Sequence, residues 1–314
     1  KYSPVSVCGY HIRESGANPA QEMAYAFCIA KAYADDVIKR GLAVDEFAGR
    51  LSYNFNIFGN LFEQVAKFRA GRGLWAKIMK EEYGAEKPSS MWLRMIAAGG
   101  GGGLTFEQPE VNIVRGAYYA LISALSGTQT MALCSYDEAY TIPTEQAAKL
   151  SLRTMQILMT EIGACDTVDP LAGSYFVEST TDEMEQRIVA LMDRLDAEGG
   201  IVKAIAEGRV QADVSRQAYE QKQRVEAGDS QKVGVNCFVD DEKGPEVEFH
   251  PYRREEAEKQ IARLAKVRAE RNTADVERTL EAVRAAAEGG QNVMPAVIAA
   301  VKAYATVGEI CRAL

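Results

Sequence analysis

Short apolar runs alternate along this chain with longer stretches whose apolar residues recur at helical spacing. Residues 5–10 (VSVCGY) predict a short buried strand. A helix follows over 19–39, with Asn18 as its N-cap and Pro19 at the first helical position. Residues 50–58 (RLSYNFNIF) have the β-branched and aromatic content of a second strand. The stretch 61–80 carries Leu61, Val65, Phe68, Trp75, Ile78 and Met79 at helical spacing. Residues 90–98 (SMWLRMIAA) predict a third strand that runs into Gly99–Gly103, and a helix follows over 109–125. Residues 128–135 (TQTMALCS) predict a fourth strand, and 144–161 the helix after it.

Four alternations of strand and helix imply parallel strands with helical crossovers. Such a series makes half of an eight-stranded barrel, or a small open sheet. From residue 181 the pattern turns helical and charged. The stretch DEMEQRIVALMDRLDAEGG ends in a glycine pair that stops a helix. VGVNCFV (233–239) predicts one short strand, 251–287 two charged amphipathic helices, and 293–314 a small helical end piece.

Composition narrows the setting. The chain has 314 residues, 47% of them hydrophobic, enough for a large core and two modules. The net charge of −8 and the absence of a basic stripe argue against nucleic acid as a partner. No apolar run reaches the roughly 18 residues that a membrane span needs. No signal peptide is expected at KYSPVSVC, which has neither a charged n-region nor an apolar h-region. Cys8, Cys28, Cys134, Cys165, Cys237 and Cys311 are scattered without a CxxC, so a reduced, cytoplasmic protein without a metal site is expected.

Candidate chemistry gathers where the predicted strands end. His11, one of two histidines, follows the first strand. In α/β barrels reactive groups cluster at such ends. Its imidazole either donates to a substrate carbonyl or is tied to a neighbouring carbonyl for structure. Arg13 and Glu14 beside it read as a surface ion pair of little worth. Arg50, Ser52 and Asn54 alternate, which puts all three on one face of the second strand. Either they meet an anionic substrate, or they form a solvated strand end with Arg50 paired to Asp45 or Glu46. Gly99–Gly103 reads as a phosphate cradle, as bare backbone against a large flat ligand, or as a loose loop. It matches neither GxGxxG nor GxxxxGK[ST]. Asp137 and Glu138 follow the fourth strand, either accepting from a sugar hydroxyl or favouring a helix start. In a barrel all these strand ends would share one rim.

Seven motifs in this order carry a resemblance: SVCGYHIRESGA, DEFAGRLSYNF, AKFRAGRGLWAKIM, NIVRGAYYAL, SGTQTMALCSYDEA, VDPLAGSYFVE and KVGVNCF. The chain closely resembles the large catalytic chain of the methylmalonyl-CoA mutase family, adenosylcobalamin-dependent acyl-CoA mutases. The resemblance implies an α/β (β/α)8 TIM barrel threaded by acyl-CoA. Residues 1–165 then look like the second half of that barrel, and 166–314 like a helical linker or tail. Half a barrel exposes two sheet edges, so a chain supplying the first half is expected unless these residues are a truncated piece. The family's cobalamin-binding run, Asp-x-His-x-x-Gly, surrounds neither His11 nor His250, so a separate small cobalamin-binding subunit is expected.

Residue by residue, the resemblance places His11 at the thioester carbonyl and Arg50 and Ser52 at the CoA substrate, with Asn54 beside them. It places Gly101, Glu138 and Thr141 at the cofactor, Glu138 near the adenosyl ribose. The implied reaction is a radical 1,2-migration of the thioester carbonyl group, an isomerase chemistry. The sequence departs from the family at a few positions. After LR the family has a polar run with His and Gln, then Ser-Gly-Trp; here stand Met95, Ile96, Ala97, Ala98 and glycines. Cys134 replaces an asparagine near the adenosyl group, and Asn54 an aromatic. These changes imply an acyl group bulkier or less polar than methylmalonyl. The competing reading is a non-catalytic scaffold or partner subunit of such a mutase.

Overall fold

The computed structural model describes residues 5–164, 166–240 and 247–314; Cys165 lies outside the described residues. These residues form two compact units, one up to His250 and one from Pro251 to Leu314.

The first unit is built on four parallel strands: β1 (Ser6–Cys8), β2 (Ser52–Ile57), β3 (Met95–Gly99) and β4 (Thr130–Leu133). They lie in the sheet in chain order. The helices Pro19–Lys39, Leu61–Lys77 and Val111–Leu125 connect them, and Glu145–Thr160 follows β4. Local chemistry starts the first helix as its sequence predicts. Asn18 accepts from the Gln21 amide at 2.9 Å, and Gln21 answers with its side chain on the Asn18 amide.

Alternation along the strands divides the sheet into two faces. Val7, Tyr53, Phe55, Met95 and Ala97 are buried on the face that packs against the helices. Phe27 and Trp75 from two of those helices close on the Tyr53 ring at 5.9 and 5.3 Å, and Tyr53 stacks on Phe55 at 5.5 Å. The other face carries Ser6 and Cys8, Ser52, Asn54 and Asn56, Ile96 and Ala98, Thr130 and Ala132. The strand register sets these side by side: Cys8 opposite Asn54, Asn56 opposite Ala98, Ala98 opposite Ala132. Most of this second face is partly open to solvent.

Several elements differ from the sequence expectation, and the first strand, expected to run to Tyr10, stops at Cys8 where the helix Gly9–Glu14 begins. The second strand begins at Ser52, because Ala48–Arg50 closes a 3₁₀ turn, so Arg50 precedes the strand. The third begins at Met95, because Pro88 opens a helical turn over Pro88–Met91. The segment around 233–239 is a tight loop held by a single bridge between Val233 and Cys237.

The chain then returns over the helical layer. Tyr175–Ala197 places Met184, Ile188, Met192 and Leu195 in the same core as the sheet aromatics. Arg69 secures the preceding loop, meeting Asp169 at 2.6 Å and Glu178 at 2.7 Å. Ile201–Ala206 and Arg209–Glu226 complete the unit's helices. The second unit has the helices Arg254–Glu270, Thr273–Glu288, Met294–Lys302 and Val307–Ala313, around Val283, Ala300 and Ile310. Among the described residues no helix is long and apolar enough to cross a membrane.

Candidate functional site

Each of three strands ends in a sharp change of backbone, and the turns that follow share one rim of the parallel sheet. After β1 the chain enters a short helix, Gly9–Glu14, which carries Tyr10, His11 and Glu14. His11 is exposed, with its Nδ1 3.6 Å from Cys8 Sγ. The Tyr10 ring meets the imidazole edge-on at 5.5 Å. Across the rim the Tyr10 hydroxyl lies 3.9 Å from Cys134 Sγ, just past β4. Burial pushes the Tyr10 phenol well above its ordinary range, with Cys134 and Glu14 adding to it. Burial, then the Glu138 carboxylate, pushes the Cys134 thiol up to about 12, so it stays protonated at neutral pH.

Glu138 sits in a capping turn after β4, where its Oε1 accepts the Ser135 amide at 2.7 Å. Its neighbour Asp137 is buried and accepts from the Thr144 amide and hydroxyl at 2.8 and 3.0 Å. Asp137 is therefore a structural cap, and Glu138 alone keeps an exposed carboxylate on this turn. Thr141 Oγ1 accepts the His250 amide at 3.0 Å, and His250 Nδ1 lies 3.3 Å from the Pro143 carbonyl.

The glycine run closes β3 and makes a 3₁₀ turn, Gly101–Gly103. None of Gly99–Gly103 has a left-handed backbone, so steric room, not torsion, calls for glycine here. A Cβ on Gly100 would collide with Asn56 and Glu14, and one on Gly103 with the Tyr119 hydroxyl. At Gly101 the nearest atom to such a Cβ is 3.7 Å away, and at Gly102 3.3 Å, in both cases the tip of Glu14. Packing thus fixes glycine at 100 and 103, while a side chain fits at 101 and at 102 meets only the tip of Glu14.

Arg50, Ser52 and Asn54 do not join this rim. Arg50 is exposed and Ser52 opens β2, at the end of the sheet opposite His11, Gly101 and Glu138. Ser52 Oγ donates to the Val5 carbonyl at 3.4 Å. A single shared mouth for all four groups is therefore wrong, because Arg50 and Ser52 stand at the start of β2, whereas His11, Gly101 and Glu138 follow the C-terminal ends of strands parallel to it. What the strand does instead is connect the two ends. Ser52, Asn54 and Asn56 form a polar track up the second face, roughly 13 Å long at the usual strand rise, and its rim end, Asn56, is buried and bonded to Glu14 of the helix Gly9–Glu14. Asn54 Oδ1 is buried and has no partner among the described residues.

Sequence reasoning missed four groups at the rim: Tyr10, Glu14, Asn56 and Lys232. The Arg13–Glu14 surface pair does not form. Arg13 donates to the Ala17 carbonyl and lies 4.2 Å over the Phe58 ring. Glu14 turns inward to the glycine turn, accepting the Gly102 amide at 2.8 Å. Lys232 Nζ approaches the Gly102 carbonyl at 3.4 Å, and burial beside Arg115 holds its ammonium below the ordinary lysine range. For Asn56 the signal was present, since period two extends from 52 and 54 to 56. Among the described residues no group of three His, Cys, Asp or Glu side chains converges on a metal position.

Comparison with known proteins agrees along the whole chain. The family profile described as methylmalonyl-CoA mutase matches residues 1–314. The chain is 44% identical over 315 residues to the 2-hydroxyisobutanoyl-CoA mutase large subunit of Aquincola tertiaricarbonis, covering 100% of this chain and 56% of that protein. It is 40% identical over 315 residues to methylmalonyl-CoA mutase of Cereibacter sphaeroides, covering 100% of this chain and 44% of that one. Against methylmalonyl-CoA mutase of Escherichia coli K12 the identity is 35% over 318 residues, again covering 100% and 44%. The chain spans about half the length of the curated relatives it matches.

Proposed function

This chain belongs to the methylmalonyl-CoA mutase family, and on that premise we propose that it works within an adenosylcobalamin-dependent acyl-CoA mutase, an isomerase. One observation carries the reading: the polar track on β2 joins a basic end at Arg50 to a reactive rim at His11. A long, thin ligand with an anionic head and a carbonyl-bearing tip fits that layout, and acyl-CoA is such a ligand. Arg50 and Ser52 hold the CoA portion, with Asn54 along the track. The four βα units are then the second half of an eight-stranded barrel, whose other half covers the track and pairs with the outer edges of β1 and β4. A small subunit that binds cobalamin completes the assembly.

The rim suits the cofactor. Gly101 and Gly102 offer bare backbone bounded only by the tip of Glu14, which lets a broad, flat group lie close. Gly101, Glu138, Thr141 and Cys134 would hold it, Glu138 through a sugar hydroxyl. Bound there, adenosylcobalamin would supply the hydrogen-abstraction chemistry that a 1,2-migration needs. The protein's own contribution is electrostatic and steric. His11 donates to the thioester oxygen and stabilises the charge that builds there during migration. Tyr10, packed against the imidazole, fixes its ring. The protonated Cys134 thiol adds no charge to the wall.

Small residues also mark the substrate class. Ala98, Ala132 and Gly102 leave volume near the rim and remove hydrogen-bond partners. This supports an acyl group bulkier or less polar than methylmalonyl, in the direction of the hydroxyisobutanoyl group named for one relative. The test is turnover of an acyl-CoA panel by the complete large chain with its cobalamin-binding partner. Branched acyl-CoAs are expected to isomerise fastest. His11→Ala is expected to slow turnover about 10²–10⁴-fold, the range of a positioned proton donor. Preference for methylmalonyl- or succinyl-CoA refutes the substrate class. Cofactor binding with no turnover of any acyl-CoA favours a scaffold instead.

A further inference from the structure

We infer that Glu14 is a positioning residue: its carboxylate latches the glycine turn to the sheet and so holds the wall of the reactive rim in place. Five successive glycines have the greatest backbone freedom of any run of that length, and no side chain with which to anchor themselves. Such a turn can be held only through its main chain. Glu14 Oε2 accepts the Gly102 amide at 2.8 Å, and Glu14 Oε1 accepts from Asn56 Nδ2.

Asn56 is itself fixed from behind. Its amide donates to Glu22 Oε1 at 2.6 Å, and its carbonyl accepts from Lys67 Nζ at 2.6 Å. Lys67 and Glu22 pair at 2.8 Å with both side chains fully buried. The chain of contacts therefore starts in a dry ion pair among the helices. It passes through β2 and ends on the glycine turn after β3. Gly100 is part of the device, because a Cβ there would strike both Asn56 Oδ1 and Glu14 Oε1. Its missing side chain is what lets the latch close.

The latch stands on these contacts alone; its effect on the site rests on the mutase reading. The experiment separates the two, using the complete large chain assembled with its cobalamin-binding partner. Hydrogen exchange over residues 100–104 reads the latch directly. Glu14→Ala is expected to speed exchange there roughly tenfold or more, the loss of one charge-assisted bond. Glu14→Gln keeps an acceptor for the Gly102 amide. Its new donor can meet Asn56 Oδ1, which has no partner among the described residues, after the Asn56 amide turns over. Exchange in this variant is expected to stay near wild type. Gly100→Ala opens the latch from the other side and is expected to reproduce the alanine pattern, which covers the case of a poorly folding Glu14→Ala.

The second readout is adenosylcobalamin affinity by visible spectroscopy, with kcat and KM measured separately. Glu14→Ala and Gly100→Ala are expected to weaken affinity about tenfold, with rescue in Glu14→Gln. Unchanged exchange in both loosening variants, or no rescue by glutamine, overturns the latch. Faster exchange with unchanged affinity, kcat and KM overturns the positioning role. Neither result touches the mutase reading, which His11→Ala and the acyl-CoA panel test on their own.

Discussion

The two faces of β2 are made from six consecutive residues and could hardly differ more. Tyr53, Phe55 and Ile57 point into the helical layer, where rings stack and no side chain is more than 2% exposed. Ser52, Asn54 and Asn56 point the other way, and two of them keep an amide oxygen without a partner. Burying an unpaired polar oxygen costs free energy; the helix-facing side carries one, the Tyr53 hydroxyl, among large apolar contacts that offset it, and the second face carries two without such packing. One face secures the fold, and the other is the face to which the proposed function assigns the ligand. The Glu22–Lys67 pair lies behind the first face yet bonds the backbone of Asn56, so the two are mechanically joined.

Truncating one residue on each face gives the largest contrast. Phe55 is fully buried and touches both Tyr53 and Phe68, with ring centres at 5.5 and 6.1 Å. Phe55→Ala is expected to cost about 3–5 kcal/mol in urea unfolding, as large aromatic truncations do. Asn54 makes no side-chain hydrogen bond among the described residues, so Asn54→Ala removes nothing the fold uses. Its stability is expected to change by less than about 1 kcal/mol, while KM for acyl-CoA in the complete enzyme rises about tenfold. Equal destabilisation by the two variants would erase the distinction between the faces.

Gly102→Trp sharpens the picture at the rim with a smaller effect. A Cβ at Gly102 meets only the tip of Glu14, at 3.3 Å, so the indole enters by shifting that carboxylate slightly, whereas a Cβ at Gly100 or Gly103 overlaps side chains outright. Thermal stability is expected to hold. The ratio of kcat/KM for branched over unbranched acyl-CoA is expected to fall at least about tenfold, within the range pocket volume can supply. A constant ratio would mean that the space at 102 does not select the acyl group.

How much of this was legible beforehand follows from the range of each interaction. The Asn18 cap, the Pro19 start and the strand–helix alternation depend on neighbours a few positions away, and the sequence shows them. The alternation that exposes Ser52 and Asn54 is local too. The 3₁₀ turn at Ala48–Arg50 has no strong composition signal, which accounts for the later start of β2; Arg50 is at the opposite end from His11 because it leads into its strand, while the rim groups follow theirs. Glu14 could not be read at all. Its partners lie 42 and 88 positions along the chain, and next to Arg13 it looks like half of a surface pair. The Asp137–Glu138 pair shows the same limit. Two adjacent acids look equivalent in sequence, yet one caps a helix from the interior and the other faces the rim.

The smallest effect comes from two cysteines, one on each side of the comparison. Cys28 is buried behind the helical face and Cys134 is half-buried at the rim, yet both thiols are pushed up to about 12. Burial leads in each case, followed by Asp196 for Cys28 and Glu138 for Cys134. Because the shift is upward, the thiol form dominates at neutral pH, and the reactive thiolate is roughly a thousandfold scarcer than for an ordinary cysteine. Iodoacetamide at pH 8 is therefore expected to label the exposed Cys311 first and to spare both. Two units higher, the thiolate fraction rises about a hundredfold, and Cys134, which a reagent can reach, is expected to react while Cys28 waits for unfolding. Glu138→Gln removes the second cause at Cys134 and is expected to speed its labelling a few-fold at fixed pH, with no change at Cys28. Labelling of Cys134 at pH 7 as fast as Cys311 would show that its wall carries a thiolate, and that the rim presents charge where the mutase reading needs a neutral surface.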